Sequence, residues 1–409
     1  MYKPLEVVKD VFYVGVNDRT KHLFEGLWSL PFGVSYNSYL ITDEKIALID
    51  TVDVCYSDVY FRKITSVLGD KPIDYLIINH MEPDHSGSIE WLVAKYPNIR
   101  IIGNKRTADM LQGFYNVSEN VQVIQDADEL SLGKYTLRFY LTPMVHWPET
   151  MMTYLLQNKT LFSGDAFGAF GALNGGAADA QLSLNHYWDE MTRYYACIVG
   201  KYGSPVQTAL KKLADVEIGA ICSTHGPVWT ESENIEKVIG IYDKLSRYEG
   251  EDGLVIAYGS MYGNTEQLAE IIAAEAAAQG VKNIILHNVS KSDLSDILRD
   301  VFKYKGLIIG SPTYNNELYP GVKNLVTALQ GRNMKSRFFG YFGSFSWAGA
   351  AVKHLKEFAE NMNFEIVGEP VEMKQSPNND IAEQARRLAQ EMADCLPREV
   401  KLKTATKCD

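Results

Sequence analysis

Tyr75-Leu-Ile-Ile-Asn-His80-Met-Glu82-Pro-Asp84-His85 is an apolar run that ends in four potential metal ligands within six residues. Tyr75–Ile78 reads as a strand, being short, apolar and rich in β-branched and aromatic side chains. A turn leaving a strand end can aim the alternating His80 and Glu82 at one metal and the following Asp84 and His85 at a neighbour, as a two-metal site requires. More candidates stand where later apolar runs end: His146 in Met-Val-His-Trp-Pro, Asp165 in Ser-Gly-Asp-Ala-Phe and His225 in Ser-Thr-His-Gly-Pro. Any one of these histidines alone would read as a packed or turn residue; the combination carries the metal reading. His22, His186, His287 and His354 lack such a context and read as surface or packing residues.

Working outward, residues 5 to 245 hold short apolar runs (Ile46–Ile49, Ile99–Ile102, Leu137–Leu141, Thr160–Ser163, Ile218–Cys222) broken by polar loops and a few helices. Tyr248–Gly253, polar and glycine-containing, reads as a linker. Beyond it the pattern becomes regular βα alternation. Strands are expected at 254–258, 283–288, 306–310, 337–343 and 364–367. Helices are expected at about 264–279, 294–302, 320–330, 349–362 and 381–395. Five strands with interleaved helices predict a doubly wound parallel sheet.

At 409 residues the chain exceeds the size at which single cores stop growing, roughly 250–300 residues. The expected division is 1–248 and 253–397, with 398–409 a frayed polar tail. A formal charge of −11 argues against broad binding to nucleic acid or anionic membranes, both of which need clustered Lys and Arg. The N-terminus mixes charges into its apolar stretch, unlike a secretory signal, and the expected compartment is the cytoplasm. Cys55, Cys197, Cys222, Cys395 and Cys408 are odd in number and never paired as C-x-x-C. Neither a disulfide framework nor a thiolate metal centre is expected.

Gly259-Ser260-Met261-Tyr262-Gly263-Asn264-Thr265 follows the first strand of the second half and opens a helix. A hydroxyl-rich loop at a helix N-terminus is an anion site. It lacks the Lys of a P-loop and the G-x-G-x-x-G of a dinucleotide site, which favours a monophosphate. Ser311-Pro312-Thr313-Tyr314-Asn315-Asn316 and Ser344-Phe345-Ser346-Trp347-Ala348-Gly349 follow strands whose ends lie on the same side in this topology. Their aromatic and amide content suits a flat ring that needs stacking and hydrogen bonds.

Residues 254–395 resemble flavodoxin. The resemblance implies that Ser260, Met261, Tyr262, Gly263, Asn264 and Thr265 hold the phosphate of FMN. Pro312, Thr313, Tyr314, Asn315, Asn316, Ser344, Phe345, Trp347 and Gly349 would then surround the ribityl chain and ring. Residues of roughly 30–235 resemble the metallo-β-lactamase superfamily and its αββα fold. Its zinc hydrolases usually carry His where this chain has Glu82, and a carboxylate shifts preference from zinc toward iron or manganese. Glu82, Asp84, Asp165 and one bridging hydroxide would neutralise two ferrous ions.

The H-x-E-x-D-H variant with His-Trp-Pro and the later Asp is similar to the flavodiiron proteins. That resemblance implies His80, Glu82 and His146 on one iron, Asp84, His85 and His225 on the other, and Asp165 bridging, with an oxo or hydroxo bridge. In some members the position of His85 does not coordinate. It also implies reduction of dioxygen to water or of nitric oxide to nitrous oxide, and a head-to-tail homodimer or dimer of dimers. Glu82 is a candidate for the electron path, and Trp147 and Tyr195 are the implied neighbours of the site. Glu25 and Gly164 depart from the family's common His and Asn. The external donor is open between a rubredoxin, another reductase and a reduced deazaflavin. The rival readings are a zinc hydrolase with an attached flavodoxin-like module, and a pure electron carrier on a metal-free scaffold.

Overall fold

The computed structural model describes residues 3–398 and residue 400. Cys408 and most of the expected tail lie outside the described residues. The chain divides into two compact units between Asp243 and Lys244, inside the helix Ser232–Ser246.

The first unit is built on two large sheets. One has seven strands in the order Leu5–Val8, Val11–Tyr13, Tyr39–Ile41, Ala47–Ile49, Tyr75–Ile77, Arg100–Gly103, Val121–Val123. The other has five, Glu129–Ser131, Thr136–Leu141, Met151–Leu155, Thr160–Gly164 and Ala220–Ser223. Their inner faces meet: the ring of Tyr39 lies 5.5 Å from that of Phe162, and both are buried. Helices cover the outside. In Ser57–Leu68 the buried residues Tyr60, Ile64 and Leu68 recur every four positions, the spacing of one helical face. Asn79 joins the two sheets just before the ligand-rich turn, because its carbonyl accepts from Met151 N–H at 3.0 Å and its Oδ1 from Thr153 Oγ1 at 2.7 Å.

The second unit is a parallel sheet in the order Ile284–Asn288, Glu251–Tyr258, Tyr304–Tyr314, Phe338–Phe345, Glu365–Ile366. In chain order this is 2-1-3-4-5, the flavodoxin-like doubly wound arrangement. Helices Asn264–Ala278 and Asn379–Cys395 bury Leu268, Ile272, Leu388 and Met392 against Leu254, Ile256, Ile308 and Phe342. The middle strands are buried and apolar over Leu254–Tyr258, Leu307–Ile309 and Phe338–Phe342, because both of their faces are covered. Two strands of this unit were not anticipated, and one, Glu317–Leu318, turns back antiparallel on the end of Tyr304–Tyr314. The other, Val371–Lys374, pairs parallel with Phe342–Phe345 and extends the fifth strand position beyond the two-residue Glu365–Ile366. Gly368, at φ 65°, and Pro370, which has no N–H to give a ladder, split that strand in two. The expected linker also shortens, since the first strand begins at Glu251. Tyr248 is held by the buried Arg337, whose guanidinium donates to the carbonyls of Tyr248 (2.7 Å), Val301 (2.7 Å) and Phe302 (2.9 Å).

Candidate functional site

The ligand residues of the first unit converge where its strands end. His80 follows Tyr75–Ile77, Asp165 follows Thr160–Gly164 and His225 follows Ala220–Ser223. His146 sits in the loop after Thr136–Leu141. Asp50 fixes the ligand turn: its Oδ1 accepts from Asn79 N–H (2.7 Å) and His80 N–H (3.3 Å). Burial pushes this carboxyl up to about 6 despite those hydrogen bonds. Glu82 then leads into the short helix Pro83–Ser86, which carries Asp84 and His85.

All seven expected ligands are buried, and they fall into two sets. His80, Glu82, His146 and Asp165 present ligand atoms within 4.8 Å of one another, as do Asp84, His85 and His225. Asp165 faces both. Its Oδ2 lies 2.9 Å from His146 Nε2 and 3.5 Å from His80 Nε2, while its Oδ1 lies 3.1 Å from His85 Nε2 and 3.8 Å from His225 Nε2. The residues fit two cations on chemical grounds. Three buried carboxylates meet no lysine or arginine among the described residues, and a buried charge without a partner costs several kcal/mol. Neither oxygen of Asp84 accepts a hydrogen bond there, and such an orphan calls for an ion or water.

Without metal, the charge balance is carried by the histidines. Burial alone would lower the His80 imidazole, but Asp165, Glu149 and Glu82 hold it well above its ordinary value. Burial is likewise outweighed at His85, by Asp84 and Asp165, and at His146, by Asp165 and Glu82, which leaves each at about 9. Burial raises Glu82 and Asp165, yet the surrounding imidazoles bring both below the usual carboxylate range.

Several neighbours escaped the sequence reading. Glu149, fully buried, accepts from His80 Nδ1 at 2.8 Å and from Met81 N–H at 3.0 Å. His225 Nδ1 donates to the carbonyl of Ser35 at 2.7 Å, and Thr224 Oγ1 donates to Asp165 Oδ1. Of these, Glu149 left a local signal, an acid three residues after a ligand in His-Trp-Pro-Glu. Trp147 stacks edge-on to His80 with centroids 5.2 Å apart. Tyr195 is placed differently from its expected role, with its ring packed on Tyr242 at 5.0 Å. Tyr194 instead faces His225 at 5.4 Å, one residue being a 100° turn on a helix.

The two departures have physical accounts. Gly164 adopts φ 58°, a left-handed conformation that Gly and Asn both tolerate, and a Cβ there would meet Asn79 at an ordinary 3.7 Å. Glu25, at φ 51° on the turn between Leu23–Phe24 and Trp28–Ser29, accepts from Trp28 Nε1 at 3.1 Å. Desolvation first, then the charges of Glu82 and Asp84, raise its carboxyl.

In the second unit the three loops surround a cleft of about 570 Å³. Met261, Tyr262, Asn264, Thr265, Pro312, Thr313, Tyr314, Asn315, Asn316, Ser344, Phe345 and Trp347 line it, with Ser346, Ala348 and Gln375 in addition. Ser260 and Gly263 support it from behind: Ser260 Oγ accepts from Gly263 N–H at 3.1 Å, and Gly263, at φ 92°, caps the helix Asn264–Ala278. Gly349 lies in the neighbouring cleft, where a Cβ would collide with Glu372. The site fits a planar phosphate ester: a helix start offers unpaired N–H groups, and Tyr262 and Trp347 hold their rings 91% and 90% exposed at the rim.

Residues 34–226 match the ODP family beta lactamase domain, and residues 256–388 match flavodoxin. The nitric oxide reductase of Moorella thermoacetica is 30% identical over 90% of this chain and 93% of its own. The structure of rubredoxin oxygen:oxidoreductase from the anaerobe Desulfovibrio gigas superposes with a TM-score of 0.92 at 30% identity, covering 97% of this chain and 99% of that one. The flavodiiron protein of Giardia intestinalis gives 0.91 at 26% identity, covering 97% of each. The chain belongs to the flavodiiron family. Its ODP and flavodoxin domains are the αββα-type and doubly wound units described above, and among the described residues no helix is long and apolar enough to cross a membrane.

Proposed function

We propose that this flavodiiron chain is an oxidoreductase that reduces dioxygen to water, nitric oxide to nitrous oxide, or both, with electrons passing from an external donor through FMN to a non-haem di-iron site. The observation that carries the reading is Asp165, whose two carboxylate oxygens turn to different histidine pairs, as a bridging ligand between two metals requires. His80, Glu82 and His146 would hold one iron, and Asp84, His85 and His225 the other. Glu82 beside His80 and His146 favours iron over the zinc of a hydrolase.

When bound, FMN would supply two electrons and a ferrous pair two more, matching the four that take dioxygen to water, whereas the pair alone could supply the two that couple nitric oxide. The protein's own part is orientation, exclusion of water and proton placement. Phe24 packs edge-on to His225 at 5.3 Å, and Phe170 packs on Tyr194 at 5.0 Å, so an apolar wall closes the His225 side. Tyr194 Oη, buried and without a partner among the described residues, is a hydrogen-bond donor facing that space. Glu25, whose carboxyl is raised by desolvation and then by the charge of Glu82, is the candidate proton carrier at the rim.

The proposed setting is cytoplasmic, with a rubredoxin, another reductase or a reduced deazaflavin as donor. The proposed assembly is a head-to-tail homodimer, alone or paired into a dimer of dimers. Protein reduced without air should be oxidised by dioxygen or by nitric oxide in a stopped flow, and should contain two irons and one FMN per chain. Zinc as the sole metal after production with ample iron, together with ester hydrolysis, would overturn the proposal.

A further inference from the structure

His80 and His225 stand at corresponding places in the two ligand sets, and what lies behind each ring differs. His80 Nδ1 donates to the carboxylate of Glu149 at 2.8 Å. His225 Nδ1 donates to a neutral backbone carbonyl, that of Ser35, at 2.7 Å. His85 Nδ1 is buried with no partner among the described residues. In all three rings Nε2 faces the ligand cluster: 3.2 Å from Glu82 Oε2 for His80, 3.4 Å from Asp84 Oδ2 for His225 and 3.1 Å from Asp165 Oδ1 for His85.

The three supports form a graded series of anion, dipole and nothing. A hydrogen bond at Nδ1 fixes the tautomer and leaves the Nε2 lone pair for a metal, and an anionic acceptor also makes that nitrogen more basic. A carbonyl fixes the tautomer without adding charge. An unsupported ring does neither, so its orientation is set by packing alone. Local charge runs the same way, since Glu82, Glu149 and Asp165 Oδ2 gather around His80, whereas Asp84 and Asp165 Oδ1 serve His85 and His225.

We infer that the two subsites have unequal affinity and fill in order: the subsite of His80, Glu82 and His146 takes a divalent cation first, and Glu149 sets that order. Glu149 is a positioning residue that acts through His80. The inference rests on the metal-pair reading proposed above, and its test separates the two. The full chain, with its flavin and stripped of metal, is titrated without air with Co²⁺, whose visible absorption reports the ligands around it, and in parallel by calorimetry.

The wild type should bind two ions in two resolved steps. In Glu149→Gln the amide oxygen can still accept from His80 Nδ1 and Met81 N–H, so the hydrogen bonds remain while the charge is lost. Its first step should weaken by about 10- to 100-fold, the range seen when outer-shell partners of metal ligands are changed, with the second unaltered. Two equal, unresolved steps in the wild type would overturn the inference, as would a Gln variant that weakens both steps alike or neither. Should the Gln variant not fold, single-ligand variants decide. At one equivalent of Co²⁺, His225→Ala should keep the wild-type affinity and spectrum and His146→Ala should lose them; the reverse result overturns the order. A wild type that binds fewer than two ions would instead sink the metal-pair reading itself.

Discussion

Tyr194 and Tyr195 are adjacent in sequence, yet their rings face different partners: Tyr194 lies 5.4 Å from the ligand-set residue His225, and Tyr195 lies 5.0 Å from Tyr242. The α-helix Asn185–Tyr194 passes into a π-helical turn at Tyr195–Val199, and such turns recur at functional sites. Burial, then the charges of Asp165, Glu82 and Asp84, keep the Tyr194 phenol protonated. Tyr194→Phe is therefore expected to slow gas reduction about tenfold, the equivalent of one lost hydrogen bond of about 1.4 kcal/mol. Tyr195→Phe is expected to leave the rate near native. The comparison is made by stopped flow at equal iron and FMN content, and equal losses in both variants would contradict the assignment.

Asp165→Ala should lose gas reduction altogether and bind less than two metals per chain, because its carboxylate faces both ligand sets. The flavin spectrum should be unchanged, since the FMN cleft is built in the other unit. Elemental analysis and absorption spectra of the same sample check both. Near-native turnover would remove Asp165 from the bridging role.

The metal-free protein should be pH-sensitive in a defined direction. His85 and His146 are raised from 6.5 to about 9, and His80 is raised as well. A group with a raised folded pKa contributes stability that is full below its unfolded value and is lost as pH climbs through the folded one. The Tm of the metal-free first unit should therefore fall between pH 6.5 and 9.5. Metal loading near pH 7 should release protons, because bound imidazole is neutral. Calorimetry in buffers of different ionisation enthalpy measures the release. A flat Tm over that interval would argue against the charge balance described here.

Trp347→Ala should weaken FMN binding about 2- to 12-fold through lost stacking of about 0.5–1.5 kcal/mol, without affecting metal content. Flavin fluorescence titration of the flavin-free protein gives the ratio. Unchanged affinity would show that the exposed ring serves another surface.

How much could be read in advance follows from how far each contact reaches along the chain. His80, Glu82, Asp84 and His85 stand in one turn, so their density announces them. The sheet of the second unit was legible because each βα step repeats a local pattern. Glu149, Ser35 and Thr224 act on ligands distant in sequence, and nothing local marks a serine carbonyl as the partner of a histidine. The resemblance implied Tyr195 as a neighbour of the site, whereas Tyr194 lies nearer His225; adjacent tyrosines on a helix point about 100° apart, and the residues alone do not say which of them faces inward. Val371–Lys374 was missed because Pro370 reads as a stop, although it only interrupts a strand that resumes.

The proposed head-to-tail dimer makes the sharpest demand. The flavin loops and the metal ligands belong to two separately folded units, and a two-fold assembly would satisfy both flavin-to-metal contacts with one repeated interface. An iron-dead chain, His80→Ala with Asp165→Ala, can be co-expressed with a flavin-dead chain altered at Gly263 and Thr265. Each homodimer lacks one partner of every electron-transfer pair and should be inactive. In a mixed dimer with transfer between chains, the intact flavin of the first faces the intact metal site of the second. Random assembly makes half the dimers mixed and gives each one working pair of two, so about a quarter of native activity should return. If transfer stays within a chain, no mixed dimer holds a working pair. Zero recovery, with mixed dimers verified by native mass spectrometry, would therefore reject the head-to-tail arrangement.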